Sequence, residues 1–197
     1  MPSPSEMPAV CQARNTKAVS IHIRTLAAPM FEYSRAIAMA KMIYGNIGVA
    51  FNIASEMCPS LDTTSNVDLS EVNGMCAWNQ FNPEQSDLYS RAHPGSGGVT
   101  VFIVGAIRET PGNTLAGCAG HAPGKPTAVV SAAAGTIYTI AHEVGHVLLG
   151  SAYSPVHATD IRNIMIGGTW QIPANAIPYF TEGQRQQILR NPLLRAL

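Results

Sequence analysis

The chain has 197 residues, 12% of them charged and 46% apolar, and its 12 basic and 12 acidic residues cancel to a formal net charge of zero. That length suits one domain with a proper core, and the charge balance offers no polybasic surface to nucleic acid or anionic lipid. The longest apolar run, residues 99–107, is far short of the roughly 20 residues a membrane span requires, so a soluble monomer is expected.

Residues 1–16 are rich in Pro and Ser and read as an extended lead-in, without the basic and apolar regions of a signal peptide. Over 17–26, KAVSIHIRTL alternates Val19, Ile21 and Ile23 with Ser20, His22 and Arg24, the period of two of a strand. Residues 30–44 place Phe31, Ile37, Met42 and Ile43 among alanines, with Glu32, Arg35 and Lys41 to one side, which predicts an amphipathic helix stopped by Gly45. A second strand over 48–54 follows, and the order strand, helix, strand predicts a parallel crossover.

Between 55 and 98 no period persists, and the segment reads as one long irregular connection. Such a loop in a compact domain needs a function or a staple. Of the four cysteines, Cys11, Cys58, Cys76 and Cys118, none has C-x-x-C spacing, so two disulfides are expected, with Cys58–Cys76 favoured as that staple. Disulfides place the protein in a secreted or periplasmic setting. The run VTVFIVGAI over 99–107 predicts a central strand buried on both faces, and 114–120 and 127–131 predict two more short strands.

The stretch TIYTIAHEVGHVLL, residues 136–149, carries His142, Glu143 and His146 in the order H-E-x-x-H on a helix that is apolar almost all round. Histidines four apart share one helical face, so their imidazoles can converge on one Zn²⁺ ion. Glu143 is rotated about 100° from His142, close enough to act as general base toward a zinc-bound water without being a ligand. Burying two imidazoles and a carboxylate without compensation would be costly, and a metal compensates them. After Gly150 the chain is irregular until a last helix begins near Thr181, a good N-cap, and stops at Asn191-Pro192. Residues 17–150 thus form a sheet-bearing half with the zinc helix, residues 151–197 a loop-bearing half, and a cleft between them is the expected substrate site.

With these elements in hand, the chain resembles the metzincins, zinc endopeptidases with the pattern H-E-x-x-H-x-x-G-x-x-H followed by a methionine turn. The order of elements before the zinc helix matches, and HATDIRNIM, from His157 to Met165, resembles the matrixin segment in which the third histidine precedes the turn methionine by eight residues. The departure lies between them: Gly150 is the fourth residue after His146 rather than the third, and His157 is seven beyond it. Strict spacing from Gly150 puts Tyr153 in the third-ligand slot, and Asp160 is another oxygen donor nearby; neutral imidazole is the better zinc donor, which favours His157.

The resemblance implies an α+β fold: a twisted, mostly parallel sheet with one antiparallel edge strand, two long helices, a C-terminal helix and an irregular C-terminal subdomain. It implies His142, His146 and His157 as zinc ligands, Glu143 as the base, and Met165 as an apolar floor beneath them. It also implies that Thr114, Leu115, Ala116 and Gly117 form an edge along which a peptide substrate pairs, and that Gly168, Thr169 and Trp170 wall a side-chain pocket. The expected function is zinc-dependent hydrolysis of peptide bonds in protein substrates. Two alternatives compete with it, an inactive zinc-stabilised binding module of the same fold and a site in which Glu182 is the third ligand.

Overall fold

The alternation near the N-terminus becomes strand β1, Lys17–Thr25, with Val19, Ile21 and Ile23 buried. The protein is described here from a computed structural model that covers residues 15–58, 71–78, 80–92, 97–110, 112–120 and 124–197. Cys11, His93, His121 and nearly all of the N-terminal lead-in lie outside the described residues. Helix α1, Tyr33–Gly45, follows β1, and strand β2, Val49–Met57, pairs parallel with β1, as strand-helix-strand order requires.

Strand β4, Val99–Val104, runs parallel to β1 on its other side, and β8, Thr127–Ser131, runs parallel to β4. The two-residue strand β7, Gly117–Cys118, closes this edge antiparallel to β8, and the short β9, Arg195–Ala196, pairs with the start of β1. The sheet order is β2-β1-β4-β8-β7. Both faces of the middle strands are covered: Val101, Ile103 and Val130 face the core beneath α1 and helix α3, Thr139–Leu149, while Phe102, Val104 and Val129 face a second cluster with Val72, Leu88 and Tyr89. A strand buried on both sides has no polar face to alternate with, which is why this part of the sequence reads as a continuous apolar run.

That run does not stay in one strand. It bends at Gly105, and β5, Ala106–Thr110, leaves for a separate three-stranded sheet between β3, Glu71–Asn73, and β6, Asn113–Leu115. The irregular reading of 55–98 also needs correction, because it contains β3 and helix α2, Pro83–Ser90. The start of α2 is encoded locally: Asn82 accepts from the Gln85 backbone at 2.8 Å, Gln85 Oε1 accepts from the Asn82 backbone at 3.1 Å, and Pro83 fills the first helical position.

The expected Cys58–Cys76 staple is overturned. Cys76 is bonded to Cys118 with a Cα–Cα distance of 5.5 Å, and Cys58 is exposed and unpaired. The bridge ties the segment after β3 to the sheet's edge instead of closing its own loop. With a separation of 42 residues, loop-closure entropy assigns such a bridge about 4 kcal/mol. Among the described residues no helix is long and apolar enough to cross a membrane.

The C-terminal helix α4, Glu182–Leu189, starts at Thr181 with a capping box in which Gln184 N–H donates to Thr181 Oγ1 at 3.2 Å and Gln184 Oε1 accepts from Thr181 N–H at 2.8 Å. Side chains of α4 and of the segment that follows it complete α3. The last carbonyls of a helix lack internal partners, and those of Leu148 and Leu149 accept from Asn191 Nδ2 at 2.8 Å and Gln187 Nε2 at 3.0 Å. Gly150 ends α3 at φ 82°, a conformation costly for residues with a Cβ.

Candidate metal centre

Helix α3 is held on both flanks before any metal is considered. Tyr44 of α1, fully buried, donates its hydroxyl to the carbonyl of Ala141 at 3.0 Å, one residue before the motif. At the N-terminal end, the hydroxyls of Thr136, Thr139 and Thr169 lie 3.0–3.2 Å from one another, which ties the helix start to the 3₁₀ turn Thr169–Gln171.

On the cleft side His142 and His146 present Nε2 atoms 3.0 Å apart. His157 joins them from the irregular half, its ring centroid 5.5 Å from that of His142 and 5.0 Å from that of His146. One ring nitrogen from each of the three lies within 4.8 Å of the others, so the trio could hold a metal ion. His142 Nδ1 lies 2.7 Å from the carbonyl oxygen of Ile164. A carbonyl only accepts, so Nδ1 carries the proton and Nε2 presents its lone pair to the cluster. Two nitrogens bound to one tetrahedral zinc at 2.0–2.1 Å stand about 3.3 Å apart, close to the observed separation. The donor set fits zinc.

His157 reaches the cluster because its neighbour is tied back to the later turn. Ala158 N–H donates to the Met165 carbonyl at 2.8 Å, and Asn163 Oδ1 accepts from Met165 N–H at 2.8 Å. Asn163, itself buried, passes the constraint on by donating from Nδ2 to Gln184 Oε1 of the α4 capping box at 2.9 Å. Met165 is fully buried against the underside of α3, where Gly145 makes room: a Cβ there would lie 2.5 Å from Met165 Sδ.

The alternative oxygen donors have other neighbours. Asp160 accepts from Arg162 N–H at 2.8 Å and from the Tyr179 hydroxyl at 2.9 Å. The Tyr153 hydroxyl lies beside Gly183 at the start of α4, and Glu182 is exposed and paired with Arg185 at 3.0 Å. His22 bonds Ser55 across β1 and β2 at 2.9 Å, away from the cluster.

Electrostatics favour the ligating form. Burial pushes the His142 imidazole down to about 4 against the upward pull of the Ile164 carbonyl, and burial followed by the neighbouring histidines pushes His146 down to about 2. Burial also lowers His157. All three are therefore neutral near pH 7, as metal binding needs. Glu143 Oε1 lies 4.0 Å from His142 Nε2, and burial raises its carboxyl to about 8. The backbone of Gly117 runs directly against this carboxyl group, so any Cβ at 117 would collide with it.

The cluster opens into a cleft of about 450 Å³. Thr114, Leu115, Ala116 and Gly117 line one side, and Gly168, Thr169 and Trp170 line another, with Trp170 76% exposed at the rim. Met165 is not among the lining residues. The cleft also takes in Cys76, Trp78, Glu109 and Val156, which sequence reasoning missed. No local signal marks them: the place of Cys76 and Trp78 depends on the Cys76–Cys118 bridge, that of Glu109 on β5 leaving the main sheet, and that of Val156 on the approach of its neighbour His157 to the cluster.

No protein-family model matches the sequence, and no curated protein matches it. The fold does find a counterpart. The chain is similar in structure to an archaemetzincin from Methanopyrus kandleri, with a TM-score of 0.51 and 15% sequence identity over 88% of this chain and 95% of that one. The fold is archaemetzincin-like. At that identity the likeness concerns the path of the backbone alone.

Proposed function

We propose that this chain is a zinc-dependent endopeptidase, one domain over residues 1–197, acting on peptide bonds of protein substrates. The observation that carries the reading is the convergence of His142, His146 and His157 beside a buried Glu143, in a cleft lined by β6 and β7, the two antiparallel edge strands, one in each sheet, into which the stretch 114–120 divides. The archaemetzincin-like fold supports it. The three histidines would hold the zinc, which when bound would supply Lewis acidity toward water and a substrate carbonyl.

The chain's own groups do the rest. An extended peptide lies along 114–117, pairing through backbone groups and so needing no particular side chains there. Glu143 takes the proton from the attacking water and delivers it to the leaving amine. Gly117 brings the edge strand close to that carboxylate, and Gly168, Thr169 and Trp170 wall a side-chain pocket. Met165, on the matrixin-like interval from His157, packs beneath the histidines and fixes their platform. The Cys76–Cys118 bridge suits an exported enzyme.

The test pairs metal removal with one substitution. A chelator should abolish cleavage of a mixed peptide set and zinc should restore it, while Glu143→Ala should retain one zinc and lose at least about 10²-fold in rate. Parent-like cleavage by Glu143→Ala would overturn the reading, and stoichiometric zinc with no cleavage by the parent would favour a binding module.

A further inference from the structure

We propose that the cleft selects peptides carrying a lysine or arginine side chain and that Glu109 reads the charge; the proposal rests on the peptidase reading above. Two carboxylates line the cleft, and among the described residues no lysine or arginine does. Glu143 stands beside the histidines. Glu109 lies on β5, outside the group of potential metal-binding side chains, and is half-buried.

Its surroundings keep it available. Arg108, the neighbouring cation, is paired with Glu71 of β3, whereas Glu109, at the break in β5–β6 register between Arg108 and Thr110, lines the cleft. Asn113 Nδ2 donates to Glu109 Oε2 at 3.0 Å, which steadies the carboxylate without neutralising it. No described lysine or arginine forms an ion pair with it. A carboxylate with no countercharge among the described residues, in a concave, partly apolar wall, concentrates a negative potential on whatever enters.

Trp78 supplies the complementary surface in the same cleft, held two residues from the Cys76–Cys118 bridge and next to Ala77, whose backbone packs against Gly120. An indole and a carboxylate lining one cleft suit a side chain with a long aliphatic stem and a cationic end.

Three peptides identical except for lysine, norleucine or glutamate at one scanned position test this with the parent, Glu109→Gln and Glu109→Lys. At the responsive position the parent should favour lysine over norleucine by about two- to fivefold in kcat/KM, as a half-exposed ion pair allows. That ratio should fall to near one in Glu109→Gln, and Glu109→Lys should favour glutamate. Fluorescence titration of the Glu143→Gln protein with the same peptides should give the same order of affinity. A parent that cleaves all three equally at every position, or a lysine preference that survives Glu109→Gln, overturns the proposal alone. No cleavage of any peptide by the zinc-loaded parent overturns the peptidase reading and this proposal with it.

Discussion

Gly145 lies between the two motif histidines on α3, and replacing it with alanine sets two effects of opposite sign against each other. Alanine in a helix interior is favoured over glycine by about 1 kcal/mol. The new Cβ, however, would lie 2.5 Å from Met165 Sδ and 3.5 Å from Phe180 Cε1. Nonpolar contacts settle near 3.5–4.0 Å, so the sulfur must withdraw by roughly 1 Å or more. It has little freedom to do so, since Met165 is fully buried and its backbone is pinned on both sides by Asn163 and Ala158. Overpacking of this kind costs about 1–3 kcal/mol, which outweighs the propensity gain and leaves the variant destabilised by about 1 kcal/mol. Because the strained turn also anchors His157, zinc affinity should fall as well. Urea unfolding of zinc-free protein, run as a double-mutant cycle, isolates the contact. In a Met165→Ala background the same glycine-to-alanine change should become stabilising by about 1 kcal/mol, a coupling of about 2 kcal/mol. If Gly145→Ala is equally stabilising in both backgrounds, the packing argument fails.

Two further predictions concern the metal and pH. His157→Ala should lose stoichiometric zinc by elemental analysis, whereas Tyr153→Phe and Asp160→Asn should keep it, because neither group belongs to the histidine cluster and Asp160 is held by the Tyr179 hydroxyl; the reverse pattern would displace His157 as a ligand. In zinc-free protein, His142 and His146 are held far below 6.5, so their contribution to stability is full above that value and is lost as pH falls toward about 4. Glu143 runs the other way: held at about 8 against 4.5, it favours the fold at low pH and loses that contribution as pH rises through 8. With two groups against one, the melting temperature should rise from pH 4.5 to about 6.5 and decline beyond it, and a curve still rising from pH 6.5 to 8.5 would contradict this assignment.

Features decided by neighbours in the chain were legible in the sequence. Helical periodicity put His142 and His146 on one face with Glu143 beside them, alternation marked β1, and Thr181 announced α4, because each depends on torsions and hydrogen bonds spanning a few residues. The Asn82–Gln85 capping box is equally local and marks the start of α2 where no periodicity does. Other features depend on closure between distant segments. The apolar run at 99–107 carries no sign that Gly105 divides it between two sheets, since both strands are buried and both want the same residues. Cysteine spacing cannot choose a partner either, because loop entropy varies slowly with length while the position of β7 decides which sulfur Cys76 meets. The approach of His157 to the H-E-x-x-H face is likewise tertiary. It runs through Ala158, Met165, Asn163 and Gln184 to the cap of α4, a chain of hydrogen bonds that exists only once the C-terminal helix has packed against α3.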